Sequence, residues 1–158
     1  MKSYYPIALK LENRHVLVVG GGIVAERKVK SLLASGALVK IVSPSITNGL
    51  QRLYSQRKIS YIKRKYKSLD VATFKLVIAA TNDNGINALV SKNAKRKAVL
   101  VNVVDNAKLS DFISPAVLRK NKAIIAVCTN GKDPVLSRDL KNFLKENWDD
   151  FLSYRNRL

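Results

Sequence analysis

The feature that most constrains this chain is a glycine-rich turn set between two different hydrophobic patterns. His15-Val16-Leu17-Val18-Val19 is apolar on consecutive positions and runs into Gly20-Gly21-Gly22. Apolar residues on both alternate positions mark a strand covered on both faces. From Ala25 to Ser35 the spacing becomes helical. Val29, Leu32 and Leu33 form one stripe there, while Glu26, Arg27, Lys28 and Lys30 turn to water. Gly36 stops this helix. The turn itself, Gly20-Gly21-Gly22-Ile23-Val24-Ala25, has the form G-x-G-x-x-A. Gly20 permits the tight turn, Gly22 removes a side chain that would block a pyrophosphate, and Ala25 lets helix and strand approach. The free N–H groups of the following helix attract phosphates. A strand before and a helix after give this motif its meaning, a dinucleotide site.

The rest of the chain repeats the alternation. Leu38–Val42 reads as a second buried strand, closed by Ser43-Pro44, and Ile46, Leu50 and Leu53 make a short helical stripe. Ile59–Ile62 is a weaker strand and Leu76–Ala80 a strong one. Asn87–Arg96 is helical with Leu89, Val90 and Ala94 inward, and Val99–Val103 is a fifth strand. Strand and helix in turn predict an α/β protein with a doubly wound parallel sheet. The rhythm breaks after Asp105. Ala123–Val127 is one further strand, and Asn130-Gly131 is a turn. Pro134 opens a helix whose apolar face is Leu136, Leu140, Phe143 and Leu144. Trp148, Phe151, Leu152 and Tyr154 extend apolar character beyond it, as exposed aromatics that want a partner surface, so a dimer is expected.

Candidate chemistry gathers at the strand ends. Ser43 stands where an acidic ribose ligand is usual, so a hydroxyl without charge is offered, and no arginine follows to hold a 2′-phosphate. Thr81, after Ala79-Ala80, lies either beside the cofactor or at a helix start capped by Asp83. Asp105, after Asn102-Val103-Val104, is either a turn former or a catalytic acid at the same rim. His15 is the lone histidine and precedes the first strand, away from that rim. Cys128 is the lone cysteine, read as a small buried hydrophobe. One histidine and one cysteine leave no conventional metal site and no Ser-His-Asp or Cys-His set.

The chain carries 29 Lys plus Arg against 11 Asp plus Glu, a formal charge of +18. Such a balance suits a nucleic acid, a small polycarboxylate, or a solvated lysine-rich surface. The basic residues are spread out, with one modest cluster at Lys63–Lys67, so no nucleic-acid partner is expected. No apolar run approaches the roughly 20 residues of a membrane helix, and no secretion signal opens the chain, so a reducing cytoplasm is expected.

Together these pieces resemble a family. Tyr5-Pro6, Val18–Lys28, Val42-Ser43-Pro44, Ala79–Asp83 with Asn87, and Asn102–Asp105 are similar, in order, to the N-terminal domain of siroheme synthase and to free-standing precorrin-2 dehydrogenases. Phe112–Ala116 and Thr129–Pro134 continue the resemblance, which spans about residues 4–146. It implies a Rossmann-type domain over 1–110, then strand-exchanged dimerisation strands and a short C-terminal helical region over 111–158. The implied activity is NAD-dependent oxidation of precorrin-2 to sirohydrochlorin. The alternatives are a bifunctional enzyme that also inserts iron, or an NAD sensor without catalysis. NAD is implied over NADP, and the resemblance also accounts for Ser43, since the family too lacks the acidic ribose ligand. The candidate cofactor-binding set is then Gly20, Gly22, Ile23, Val24, Ser43, Pro44 and Thr81, with Asp105 as the catalytic candidate. A carboxylate-rich tetrapyrrole also gives the positive charge a use. The chain departs from the family in a shortened helical region and in Cys128, where related synthases have serine.

Overall fold

The computed structural model describes residues 4–156 apart from Asp105 and Asn121. Two compact units result, Pro6–Phe112 and the chain from Ile113 onward together with the segment before Pro6.

In the first unit, β1 (His15–Val19), β2 (Leu38–Ser43), β3 (Ile59–Lys63), β4 (Leu76–Ala79) and β5 (Leu100–Val103) form one parallel sheet in the order β3-β2-β1-β4-β5. The chain winds outward from β1 to β3, then returns to place β4 on the other side of β1. The order therefore reverses between β1 and β4, the position where α/β sheets leave a crevice beyond the carboxyl ends of their strands. The helices are α1 (Ile23–Leu33), α2 (Asn48–Ser55) and α3 (Asn84–Arg96), with a short 3-10 turn at Ser68–Val71. Val16, Val18, Val39, Ile41 and Ile78 pack with Ala25 and Val29 of α1 and Leu50 of α2. Leu17, Val19, Val77, Ala79 and Val101 pack with Val71 of the 3-10 turn and with Val90 and Ala94 of α3. Alternate residues of each strand thus serve opposite cores, which is why β1 and β4 read as unbroken apolar runs. β3 reads weakly because it is an edge strand, with only Ile59 fully buried.

Two helices are phased differently from their sequence reading. Leu89 of α3, expected inward, is 39% exposed, and the buried positions are Asn87, Val90, Ser91 and Ala94. These lie three and four residues apart on one stripe, and Asn87 turns in because its amide binds the chain at Thr81. In α1, Glu26 is half-buried instead of turned to water, held by Thr47 and Lys30.

The second unit pairs β6 (Ala116–Lys120) with β7 (Ala123–Val127) as an antiparallel hairpin, Ala116 opposite Val127 and Lys120 opposite Ala123. α4 (Pro134–Glu146) packs on both strands, and α5 (Trp148–Arg155) follows. Pro134 is the first residue of α4, and Asp133 caps it, its carboxylate accepting from the Leu136 N–H at 2.7 Å. The sequence reading missed β6. It also misjudged two side chains. Cys128, expected buried, is exposed just after β7. Trp148, expected exposed, is buried, its ring 5.6 Å from that of Phe151. Among the described residues no helix is long and apolar enough to cross a membrane.

Candidate active site

A cleft of about 360 Å³ opens at the carboxyl ends of β1, β2 and β4, lined by Gly20–Gly22, Ser43–Thr47 and Ala80–Asn82. Its floor is the glycine turn, and the three glycines do different work. Gly20 has φ of +120°, and a β-carbon there would lie 2.2 Å from the Ala80 carbonyl oxygen. A β-carbon on Gly21 would lie 2.0 Å from the Ser45 carbonyl oxygen. Both are therefore bare so that the backbone can close on itself. At Gly22 a β-carbon would meet nothing within 4 Å. That open space faces the first turn of α1, whose leading N–H groups have no partner within the helix. The residues fit a dinucleotide: bare backbone where a pyrophosphate would lie, and N–H donors to receive it.

The second wall is the loop after β2. Ser43 is 7% exposed, and its hydroxyl donates to the Ser45 carbonyl at 2.7 Å, which leaves its oxygen able to accept from a ligand hydroxyl. The Thr47 N–H donates to the Gly21 carbonyl at 2.9 Å, so the loop folds back onto the glycine turn. Pro44 lies between these residues in the same wall.

Thr81 forms the third side. It lines the cleft, while Asp83 caps α3 by accepting from the Ile86 N–H at 3.0 Å. The buried Asn87 amide clamps Thr81, its oxygen accepting from the Thr81 hydroxyl at 2.8 Å and its nitrogen donating to the Thr81 carbonyl at 2.9 Å. Thr81 thus has little freedom to turn away.

Of the candidate cofactor residues, Gly20, Gly22, Ser43, Pro44 and Thr81 come together around one cleft. Ile23 and Val24 do not line it. The Ile23 side chain is 74% exposed, and what these two residues present is the backbone of the first helical turn. Asp105 lies outside the described residues. The sequence reading missed Gly21, Ser45, Ile46, Thr47, Ala80 and Asn82. Gly21, Ala80 and Asn82 adjoin the named candidates in the sequence, whereas Ser45, Ile46 and Thr47 reach the cleft through contacts made across the chain, which no spacing marks.

Charge is sparse at the cleft, and among the described residues no lysine, arginine or histidine lines it. Next to it, Glu26 is paired with Lys30, and Lys30 first and Thr47 second hold its carboxyl below the usual range. Farther out, Arg64 of the basic cluster makes a two-point ion pair with Asp70, at 2.6 and 2.8 Å. His15 is exposed at the opposite end of β1. Among the described residues no group of three His, Cys, Asp or Glu side chains is placed to hold a metal ion.

With this geometry in view, the chain can be set beside known proteins. A family described as putative NAD(P)-binding matches residues 7–116. The siroheme synthase of Actinobacillus pleuropneumoniae serotype 3 is 41% identical over 143 residues, 90% of this chain and 29% of that protein. The siroheme synthase of Photobacterium profundum is 39% identical over 143 residues, 90% of this chain and 30% of that protein. The chain therefore spans under a third of the length of these curated relatives. A solved structure of the precorrin-2 dehydrogenase SirC superposes with a TM-score of 0.80 at 28% identity, covering 91% of this chain and 71% of that one.

Proposed function

Since the chain belongs to the putative NAD(P)-binding family, we propose that it is an NAD-dependent dehydrogenase that oxidises precorrin-2 to sirohydrochlorin. One observation carries the cofactor: the open space at Gly22 beneath the α1 N-terminus, in the crevice where the strand order reverses. The likeness to siroheme synthases and to a precorrin-2 dehydrogenase supports the substrate. NAD is favoured over NADP because, among the described residues, the cleft offers no cation for a 2′-phosphate.

When bound, NAD accepts the hydride that leaves the macrocycle. The chain supplies the rest. Gly20, Gly22 and the backbone of Ile23 and Val24 would hold the pyrophosphate, Ser43 and Pro44 would border the adenosine ribose, and Thr81, fixed by Asn87, would border the far side. Dehydrogenation also releases a proton. In the sequence Asp105 stands two residues after the last residue of β5, and we assign its carboxylate to take that proton or to orient the ring. Asp105→Asn keeps size and turn preference but removes the base. Turnover is expected to fall by about 10²–10⁴ with NAD affinity intact. Single-turnover kinetics check this, and parental turnover in the variant removes the assignment.

The second unit is assigned to assembly. Leu136, Leu140 and Phe143 of α4 are all exposed, which supports a homodimer. The reading places the protein in the cytoplasm, where a lone thiol such as Cys128 stays reduced. The test of the function is to mix purified protein with precorrin-2 and NAD. NADH and sirohydrochlorin should appear one for one, and NADP should not replace NAD. NAD binding without NADH formation would leave only a sensor.

A further inference from the structure

The functional reading leaves Glu26 without a task, although its carboxylate is among the best-connected groups beside the cleft. Glu26 lies in the first turn of α1, just beyond Gly22. Its Oε2 accepts from the Thr47 hydroxyl, and its Oε1 pairs with Nζ of Lys30. Thr47 is the N-cap of α2, its Oγ1 accepting from the Leu50 N–H at 3.2 Å. The same residue lines the cleft, and its N–H is bound to the Gly21 carbonyl. One side chain therefore joins the helix that follows the glycine turn to the loop that forms the opposite wall.

A second observation points the same way. A β-carbon on Gly49, in the first turn of α2, would lie 2.2 Å from Oε1 of Glu26. The φ of Gly49 is not in the left-handed region, so its backbone would accept alanine. What glycine provides here is room for the carboxylate.

We propose that Glu26 is a positioning residue that, through Thr47, holds the Ser43–Thr47 wall of the cleft against the glycine turn before the dinucleotide arrives. The inference rests on the NAD reading above and adds a residue to it. A loop fixed in its binding shape loses less freedom when ligand binds, so affinity rises without any new contact. A hydrogen bond to an ionised carboxylate is also stronger than one between neutral groups. The lowered pKa of Glu26, set by Lys30 and then Thr47, keeps that carboxylate charged. If Glu26 merely braced two helices, its loss would lower thermal stability and leave NAD affinity alone.

The decisive variant is Gly49→Ala. Gly49 does not line the cleft, and alanine is the better helix former, so the fold is retained. The added methyl displaces the Glu26 carboxylate. Gly49→Ala should raise the KM for NAD about tenfold, the worth of one charge-assisted hydrogen bond, with kcat unchanged. Glu26→Ala should do the same, and Glu26→Gln should recover most of the affinity, because its amide oxygen still accepts from Thr47. The double variant Glu26→Ala with Gly49→Ala should be no worse than Glu26→Ala, since both break one tie. Parental KM in both single variants, or additive losses in the double, overturns the proposal. The parent is titrated with NAD first. If it does not bind, the functional reading falls, and amide hydrogen exchange at Thr47 in the free protein judges the tie. Glu26→Ala should speed that exchange about tenfold, and unchanged exchange overturns it.

Discussion

The two compact units use their apolar residues in opposite ways. In Pro6–Phe112, Leu17, Val18 and Val77 are fully buried, and two separate cores lie on the two faces of one sheet. From Ile113 onward, the buried hydrophobic residues among those described are Leu118 and Trp148. Ile124, Leu136, Phe143 and Phe151 there are each more than half exposed, at 66, 53, 59 and 51%. The indole N–H of Trp148 is buried without an acceptor among the described residues. A parallel sheet must be covered on both faces, and the connections between its strands supply the helices that do so. A two-stranded hairpin has no such cover built into its topology and is marginal alone. The first unit is thus finished by its own chain, whereas the second presents apolar surface of the kind that marks an interface.

The largest effect expected from this contrast is in the first unit. Leu17→Ala opens a cavity at a fully buried position between sheet and helix and should cost about 2–5 kcal/mol in denaturant unfolding. A loss below about 0.5 kcal/mol, the level of an ordinary surface change, would mean that this core is not closed. The next effect lies in the second unit. Phe143→Asp places a charge on the exposed face of α4 and should weaken self-association by about 2 kcal/mol, as at an interface anchor, while the monomer stays folded. Light scattering over a concentration series reads this, and a parent that is monomeric at micromolar concentration breaks the contrast.

The smallest effect concerns a polar pair. Asp70 has its carboxyl held below the usual range, chiefly by hydrogen bonds from Arg64. Its ionised form is favoured by folding, so the stabilisation is present above the ordinary aspartate value of 3.8 and is lost as pH falls through the lower folded value. Arg64→Ala should therefore lower stability slightly at neutral pH, with parent and variant converging in acid. A gap that persists after Asp70 is protonated would assign the loss to the packing of the arginine stem.

How far the sequence reveals this molecule follows the same contrast. β1, β2 and β4 are legible because burial on both faces leaves consecutive apolar residues. β6 is not, because Ala-Val-Leu-Arg-Lys is apolar over three residues only and becomes a strand by pairing with β7. The glycine turn is legible as a motif, yet Gly21 stands in it as a free position although the Ser45 carbonyl leaves it no room for a side chain. Ser45, Ile46 and Thr47 are hidden for the same reason. They reach the cleft through bonds made across the chain, Thr47 to Gly21 and to Glu26, and no periodicity encodes these. Leu89 misleads because hydrophobicity alone sets the phase of α3 one step away from Asn87, whose inward turn is due to Thr81.

The central claim, that the Gly20–Gly22 turn receives the cofactor, is tested most directly by calorimetric titration of NAD into the parent and into Gly22→Asp. Nothing lies within 4 Å of where the new β-carbon would stand, so the variant should fold with the parental melting temperature. Its carboxylate would occupy the space meant for a pyrophosphate and repel it. The parent should bind NAD and the variant should show no heat of binding. A folded Gly22→Asp that binds NAD as tightly as the parent would contradict the account.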